Sequence, residues 1–163
     1  MLTTYQLQLL IEAIADSAPD IKEFKACRSY EFNLSSTDKY PLLFLDTDFK
    51  VDYAPNGKQS SRTINFRFII ASRASQVDNM IWDTQKELSK LETLGTAIVA
   101  FFATKLEPIH CELRSASAVS FIGQKADDTL GWNYEISLFS PFATNSCDEY
   151  IDFMLNIKDV IKC

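Results

Sequence analysis

The sequence is poor in the residues on which several common binding sites depend. Only four glycines occur among its 163 residues, and each stands alone, so the chain has no glycine-rich loop to hold a phosphate. The four cysteines lie far apart and form no CxxC pair. We therefore expect free, mostly buried thiols in a reducing compartment rather than disulfides.

Long apolar runs and an excess of basic residues are also missing. The longest wholly apolar run, Ala97–Ala103, is far shorter than the roughly 20 residues of a membrane span. The first residues, MLTTYQLQLLIEA, lack the basic start of a secretory signal. A formal net charge of −6 argues against a general nucleic-acid binder, which needs a basic face. We expect a soluble protein made in the cytoplasm, with no membrane partner.

The sequence does contain enough apolar material for one core. Hydrophobic residues make up 47% of the chain and charged residues 23%, with 12 Phe and 6 Tyr among them. A chain of this length buries one sizeable core and is too short for two. We predict a single domain over residues 1–147, followed by a tail or short helix over residues 148–163.

Two stretches have the spacing of amphipathic helices. In residues 3–17, apolar residues at helical spacing follow a cap at Thr3 or Thr4, and Pro19 closes the stretch. From Val77 to Phe102 the same spacing predicts a helix about 39 Å long, at about 1.5 Å per residue. Gly95 either ends this second helix or weakens it.

Alternating or continuous apolar residues predict the strands. The order of helix, strands, long helix and strands favours an α+β fold, with both helices packed on a mostly antiparallel sheet. The predicted strands cover residues 24–34, 41–45, 49–53, 64–70, 109–114, 119–122 and 132–138, and Pro141 ends the last of them.

A tract of turn-forming residues divides two of the alternating runs. This tract reads APNGKQSS and covers Ala54–Ser61. It predicts a hairpin with about eight loop residues, which projects from the body of the domain.

The strongest candidate for chemistry is YPLLFLDTDFK at residues 40–50, an apolar strand followed by two aspartates. This start resembles the first motif of haloacid-dehalogenase-type phosphohydrolases, with Asp46 as the nucleophile and Asp48 as the acid. However, Lys50 stands where that motif has Thr or Val, and Gln124 replaces its metal-binding aspartate, so a charge that magnesium needs is missing. We interpret the two aspartates as turn residues at a strand end.

Two other groups of reactive residues have structural explanations. His110 and Cys111 are adjacent on a predicted strand and point to opposite faces, so they cannot easily form a base and a nucleophile. We expect the histidine to be hydrogen-bonded in or near the core. A metal site could be built from Asp127, Asp128 and Glu112, but acids beside a glycine-containing turn are usually a solvated loop.

A row of aromatic residues follows at Trp132, Tyr134 and Phe139. No basic residues alternate with these aromatic residues, so the row predicts packing in the core or an interface rather than a platform for stacked bases. We assign no catalytic residue, cofactor or metal site to this chain, and we predict that it is not an enzyme.

Three segments of the chain resemble structural proteins of the neck and tail of bacteriophages that infect Bacteroidales, including crAss-like phages. These segments are YPLLFLD at 40–46, TINFRFIIASRASQVDNMIWDTQKELSKLETLG at 63–95 and DDTLGWNYEISLFSPFATNSC at 127–147. More distantly, the chain resembles the tail-terminator or tail-completion fold. One departure from this type of subunit is that the chain continues about 16 residues past Cys147.

The resemblance implies a virion protein that is assembled in the host cytoplasm. Copies of the subunit, commonly six or twelve, form a ring around the channel through which DNA leaves the capsid, beside portal or other neck and tail proteins. DNA passes through without sequence-specific binding, and an acidic balance suits a wall that must not grip phosphates. The expected contacts with neighbouring subunits or rings are the tail after Cys147 and the hairpin loop. The candidate contact residues in this loop are Pro55, Asn56, Gly57, Lys58, Gln59 and Ser60.

Two other readings stay open. One is a generic α+β module that binds a partner protein, which would be separated from the ring subunit by the absence of a homo-oligomer. The other is a metal-dependent phosphohydrolase, which predicts magnesium-dependent turnover that is lost in Asp46→Asn while folding stays intact.

Overall fold

The fold contains helices on one face of a single sheet. The computed structural model describes residues 2–28, 38–54, 60–73, 80–106, 110–123 and 129–142. In these ranges the chain forms, in order, α1 (Thr4–Ser17), β1 (Glu23–Cys27), β2 (Leu42–Ala54), β3 (Ser60–Arg73), α2 (Met80–Thr104), β4 (Glu112–Ile122) and β5 (Thr129–Phe142).

The five described strands confirm the predicted α+β class. Their order across the sheet is β1-β2-β3-β5-β4. The pair β1 and β2 is parallel, and the other three pairs are antiparallel. The sheet is therefore mostly antiparallel, as the hairpin-like spacing of the strands predicts.

The first helix begins with a reciprocal cap. The Thr3 side chain accepts a hydrogen bond from the Gln6 backbone N–H at 3.1 Å, and the Gln6 side chain accepts one from the Thr3 N–H at 2.7 Å. This pairing satisfies two amide groups that the first turn of a helix leaves without partners. Of the two predicted caps, Thr3 or Thr4, Thr3 is the one that caps the helix, which ends at Ser17, two residues before Pro19.

β2 is one strand where the sequence predicted two. Asp46 lies opposite Arg67 and Lys50 lies opposite Asn65, so residues 47–49 of β2 face a single residue of β3. This irregularity interrupts the alternation without ending the strand, because pairing resumes on its far side. It explains why residues 41–45 and 49–53 look like separate strands in the sequence.

The hairpin between β2 and β3 has a shorter connection than predicted. Ala54 pairs with Ser61, so residues 55–59 separate the two strands instead of about eight. β5 accompanies β3 as far as the pair of Ser60 with Phe142. The described part of the hairpin therefore lies within the sheet, and the predicted projection concerns only residues 55–59, which lie outside the described residues.

β4 is also continuous, although the sequence predicted strands at 109–114 and 119–122. Leu113 pairs with Leu138 and Ser115 pairs with Ser137, which leaves Arg114 as an extra residue. Ser and Ala after this bulge have low strand propensity, so the pattern alone does not predict a strand there. Pairing along β5 holds them in the sheet.

β5 passes through the proline that was predicted to end it. Pro141 pairs with Ser61 of β3, and β5 continues to Phe142. The pairing with β4 ends at Phe139, so Pro141 lies where β5 has a described neighbour on one side only. A proline is tolerated there because its missing N–H breaks no ladder on the open side.

The long helix runs through Gly95 without a break. α2 begins at Met80 and ends at Thr104, close to the predicted 77–102. A Cβ atom at Gly95 would collide with the ring of Tyr134. The glycine is therefore a site of close approach between α2 and β5 rather than a helix end.

The core lies between the helices and one face of the sheet. Every second residue of β3 and β5 points into this core, and α1 and α2 contribute residues to the same cluster. The predicted apolar stripe of α1 is buried as expected. Fully buried members from helices and sheet include Leu7, Leu10, Ile11, Leu43, Leu45, Ile64, Phe68, Leu91, Phe102 and Leu138.

Several predictions concern residues outside the described ranges. The first predicted strand, 24–34, is described only as far as Arg28, and its residues 24–27 belong to β1. The predicted C-terminal helix or tail, 148–163, and the domain boundary at 147 lie outside the described residues. The same is true of Gln124, Asp127 and Asp128 in the possible metal sites.

Candidate functional site

The outer strand β4 is the most exposed regular element in the described part of the chain. It lies at one end of the strand order, beside β5 alone. Each residue from Arg114 to Ser120 is exposed. Val119 and Ile122 keep 69% and 60% of their surface in solvent, and they are two of four large apolar residues exposed in the described ranges. We call Ser115–Ile122 the β4 surface.

The β4 surface lacks the features that usually protect a sheet edge. Soluble proteins block such edges with charged side chains, prolines, bulges or covering segments, because unpaired backbone groups recruit further strands. Residues 115–122 read SASAVSFI and contain no charge and no proline. The bulge at Arg114 precedes them. An approaching strand would therefore meet neither charge repulsion nor a missing donor.

Small side chains keep both faces of this strand open. By their pairing with β5, Ala116 and Ala118 lie on the helix side, opposite Ile136 and Tyr134. The buried neighbours Ile136 and Tyr134 are covered by the core, whereas the alanines are exposed. The core thus covers β5 and leaves Ala116 and Ala118 of β4 exposed.

A polar hollow adjoins the β4 surface on the face opposite the helices. Its volume is about 350 Å³, and it contains cationic, anionic and hydroxyl side chains. Mixed charge and serine hydroxyls suit contact with another polypeptide surface better than a single anionic or cationic ligand. The polar lining residues are Asp48, Lys50, Asn65, Arg67, Ser115, Ser117, Glu135 and Ser137.

The predicted hairpin contacts fall almost wholly outside the described residues. Pro55, Asn56, Gly57, Lys58 and Gln59 are not described, and Ser60 is described only as the first residue of β3. Their role as contacts stays a prediction.

The two aspartates of the segment YPLLFLDTDFK, Asp46 and Asp48, have structural partners. The Asp46 carboxylate, 3% exposed, accepts a 2.6 Å charged hydrogen bond from Arg67 Nη2. Its other oxygen accepts a 3.0 Å bond from the backbone N–H of Asp48, which forms a tight turn at the irregularity in β2. Asp48 is half exposed and lies 3.8 Å from Arg28. Both carboxylates therefore lie beside an arginine, as is usual for structural aspartates.

His110 and Cys111 occupy different surroundings from those predicted. His110 lies in a turn with φ of 53° and is exposed, so the predicted position in or near the core is wrong. Cys111 is buried, and burial raises the pKa of its thiol, although a hydrogen bond with Ser140 opposes this rise. The thiol form is therefore favoured, and the nucleophilic thiolate is disfavoured. Cys111 is a free thiol, as predicted.

The aromatic row is divided between the two faces of β5. Trp132 Nε1 donates a 2.9 Å bond to the Leu88 carbonyl of α2, and the Tyr134 hydroxyl donates a 3.2 Å bond to the Glu92 carbonyl. Phe139 lies on the opposite face. Arg114 lies over its ring, 4.3 Å from the centroid. The predicted core role is confirmed for Tyr134, and Trp132 packs against the core, half buried.

Among the described residues, no three His, Cys, Asp or Glu side chains lie close enough together to hold a metal ion. Neither described helix is long and apolar enough to cross a membrane.

Comparison with known proteins gives no assignment. No protein-family model matches the chain, and no curated protein matches its sequence.

Two arginines of β3 were missed by the sequence analysis. Arg67 lies on the polar side of the strand, and no local pattern predicts that its partner is Asp46. Arg62 lies in phase with the buried residues Ile64 and Phe66 and is itself 5% exposed. A charged residue at a position that alternates with core residues is a signal of an unusual side chain that the sequence already contains.

Proposed function

We propose that this chain is a structural subunit of a bacteriophage neck or tail. In this proposal, copies of the chain assemble into a closed ring of commonly six or twelve around the DNA exit channel. The subunit is part of the virion, and its neighbours are portal or other neck and tail proteins. The three resembling segments supply the phage context.

The observation that best supports self-assembly is the β4 surface. An unprotected strand edge with two exposed apolar side chains is costly for a protein that stays alone, because it invites pairing with other chains. A protein whose partner strand is always supplied by a neighbour avoids this cost. The β4 surface and the adjoining polar hollow together fit one side of a subunit contact.

A closed ring requires a second, different surface on each subunit. Head-to-tail contacts join one patch to another patch, whereas a two-fold contact joins a patch to itself. The hairpin loop 55–59 and the tail after Cys147 are our proposed second surface. In the described part of the chain, β2 and β5 end, and β3 begins, at the same end of the sheet.

The direct test of the ring is the native mass of the purified protein over a range of concentrations. Native mass spectrometry and light scattering should detect a discrete closed species of six or twelve copies. A protein that stays monomeric at every concentration, with and without the purified portal or tail neighbour, would contradict the proposal. That result would favour the partner-binding module, which fits the β4 surface equally well with a foreign strand.

A further inference from the structure

The β4 surface is complementary to the same surface on a second copy of the chain. β4 lies at one end of the strand order, and Val119 and Ile122 keep 69% and 60% of their surface in solvent. A second copy offers an edge of the same length with the same uncharged side chains. Two antiparallel copies of one strand form a two-fold contact, which joins a patch to itself.

The sheet geometry limits the registers of such a pair. Residues that lie opposite each other in a ladder share a face of the sheet, so the two-fold axis has to pass through one residue of β4. The faces are set by the pairing with β5, in which Val119 lies opposite Asn133. The helix side carries Ala116, Ala118, Ser120 and Ile122, and the other side carries Ser115, Ser117, Val119 and Phe121.

An axis at Val119 gives each large apolar side chain of the β4 surface a suitable neighbour. Val119 then lies opposite Val119 of the second copy. Ile122 lies opposite Ala116 of the second copy, and Phe121 lies opposite Ser117. Pairs of β-branched or apolar residues across two strands are favourable, and a small residue opposite a large one leaves room for it.

Other axes fit less well. The axis described above pairs residues 116–122 of both copies and leaves the bulge outside the ladder. An axis at or before Ala118 moves Ile122 opposite the bulge at Arg114 or past it. An axis at or after Ser120 shortens the ladder at both ends.

The charges near this axis do not oppose the pairing. The nearest charge on β4 is Arg114, outside the ladder, and the one charge on β5 is Glu135, opposite Ser117. The two copies of Glu135 are three strand spacings apart across the joined sheet, about 14 Å at about 4.8 Å each. This separation exceeds the Debye length of about 8 Å at physiological salt, so their repulsion is largely screened.

We propose that two free copies of the chain pair their β4 strands antiparallel, about a two-fold axis at Val119. The dimer covers the open edge of subunits that have no other neighbour, and it joins two sheets into one. It goes beyond the proposed ring and uses the same edge, so a given β4 strand takes part in the dimer or in the ring contact. The pairing does not depend on the phage assignment.

Disulfide crosslinking with single added cysteines tests the axis. Opposite residues of antiparallel strands have Cα atoms about 4.5–5.5 Å apart, which a disulfide can span. Val119→Cys should therefore crosslink to its own copy in a mild oxidant. The matched control, Ser115→Cys, is also exposed on β4 but would lie about 27 Å from its copy, at about 3.4 Å per residue. Its yield of covalent dimer should be roughly tenfold lower and equal to the background from the native cysteines of the wild-type chain.

Equal yields from Val119→Cys and Ser115→Cys would overturn the proposal. A higher yield from Ala118→Cys than from Val119→Cys would also overturn it, because the axis would then lie elsewhere. The three positions are exposed, so the substitutions should leave the fold intact, and urea unfolding checks this.

Val119→Lys provides a measurement without an oxidant. It places two cations directly opposite each other, so the dimer dissociation constant from analytical ultracentrifugation should rise roughly tenfold or more. Ser115→Lys lies outside the ladder and should change this constant less than roughly threefold. A dissociation constant that Val119→Lys leaves unchanged would overturn the dimer.

The same measurements distinguish the dimer from the ring. A closed ring without a dimer at lower concentrations, and without crosslinking of Val119→Cys, would overturn the dimer and leave the ring proposal intact. A dimer that crosslinks through Val119→Cys, with no larger species at any concentration, would support this inference and contradict the ring.

Discussion

β5 and β4 are neighbours in one sheet, yet they have opposite surroundings. β5 buries every second side chain, and its Trp132 and Tyr134 donate hydrogen bonds to the backbone of α2. β4 lies beside it and exposes each residue from Arg114 to Ser120. The core does not extend to residues 114–120 at this edge of the sheet. The core therefore covers the sheet as far as β5 and does not cover β4. This is why we propose that the subunit contact lies at β4.

The largest expected effect is the difference in stability loss between a core substitution on β5 and a surface substitution on β4. Tyr134→Ala removes a buried ring that stacks on Phe68 at a centroid distance of 4.7 Å, so it should lower the free energy of unfolding by about 3–5 kcal/mol. Val119→Ala on β4 should change it by less than about 0.5 kcal/mol. Urea unfolding of the two variants measures both values. Similar losses of unfolding free energy in the two variants would contradict the contrast between a buried β5 and an exposed β4.

Gly95→Ala examines the contact of α2 with β5. The added methyl group would meet the Tyr134 ring, and overpacking of this kind costs about 1–3 kcal/mol, which exceeds the gain of about 1 kcal/mol in helix propensity. In the Tyr134→Ala background the clash is gone, so the same change should stabilise the protein. Thermal unfolding of the four proteins shows whether Gly95→Ala lowers or raises stability in each background. A change in the same direction in both backgrounds would contradict close approach at Gly95.

Trp132→Phe probes one hydrogen bond between β5 and α2. Losing the indole N–H that donates to the Leu88 carbonyl should lower the free energy of unfolding by about 1 kcal/mol. Ser120→Ala, at the paired position on β4, serves as the control and should be nearly neutral. Chemical denaturation distinguishes them. A loss at Ser120 equal to that at Trp132 would mean that β4 is packed as β5 is.

The pH dependence of stability should also follow the buried groups near β5. Burial raises the pKa of the Tyr134 hydroxyl above its ordinary 10.0 and that of the Cys111 thiol above 9.0. The folded protein therefore holds these protons at a pH where the unfolded chain has released them. Their contribution is fully present below about pH 9 and is lost as the pH rises through the folded-state values. Denaturation at pH 8 to 11 should show this decline, and a smaller one in Cys111→Ala. A flat profile in the wild-type protein would contradict it.

The sequence predicted the layers of the fold better than its details. Both helices and the cap at Thr3 follow from local patterns, because helical spacing and capping are properties of neighbouring residues. The continuity of β2 and β4 depends on pairing with distant strands, which holds residues 47–49 and the Ser-Ala tract in the sheet against weak local propensity. The order of apolar and polar residues within one strand cannot show which distant strands it pairs with.

The candidate site was even less accessible from sequence. Whether a strand lies at the edge or the centre depends on the strand order, and β5 enters the sheet between β3 and β4 although β4 precedes it in the chain. The ion pair of Asp46 with Arg67 likewise joins residues that are neighbours only in the folded sheet. The apolar phase of Arg62 is the exception, since alternation in the sequence already places it among core residues.

The most direct measurement uses two prolines on β4. Consecutive residues of a strand direct their N–H groups to opposite sides, so one of Ser117→Pro and Ala118→Pro breaks the ladder with β5, and the other removes a donor from the open edge. Unfolding experiments identify the variant that keeps wild-type stability. Native mass spectrometry of that variant should find only monomers at concentrations where the wild-type protein forms the closed ring. A ring with the wild-type copy number would contradict the assignment of β4 as the subunit contact.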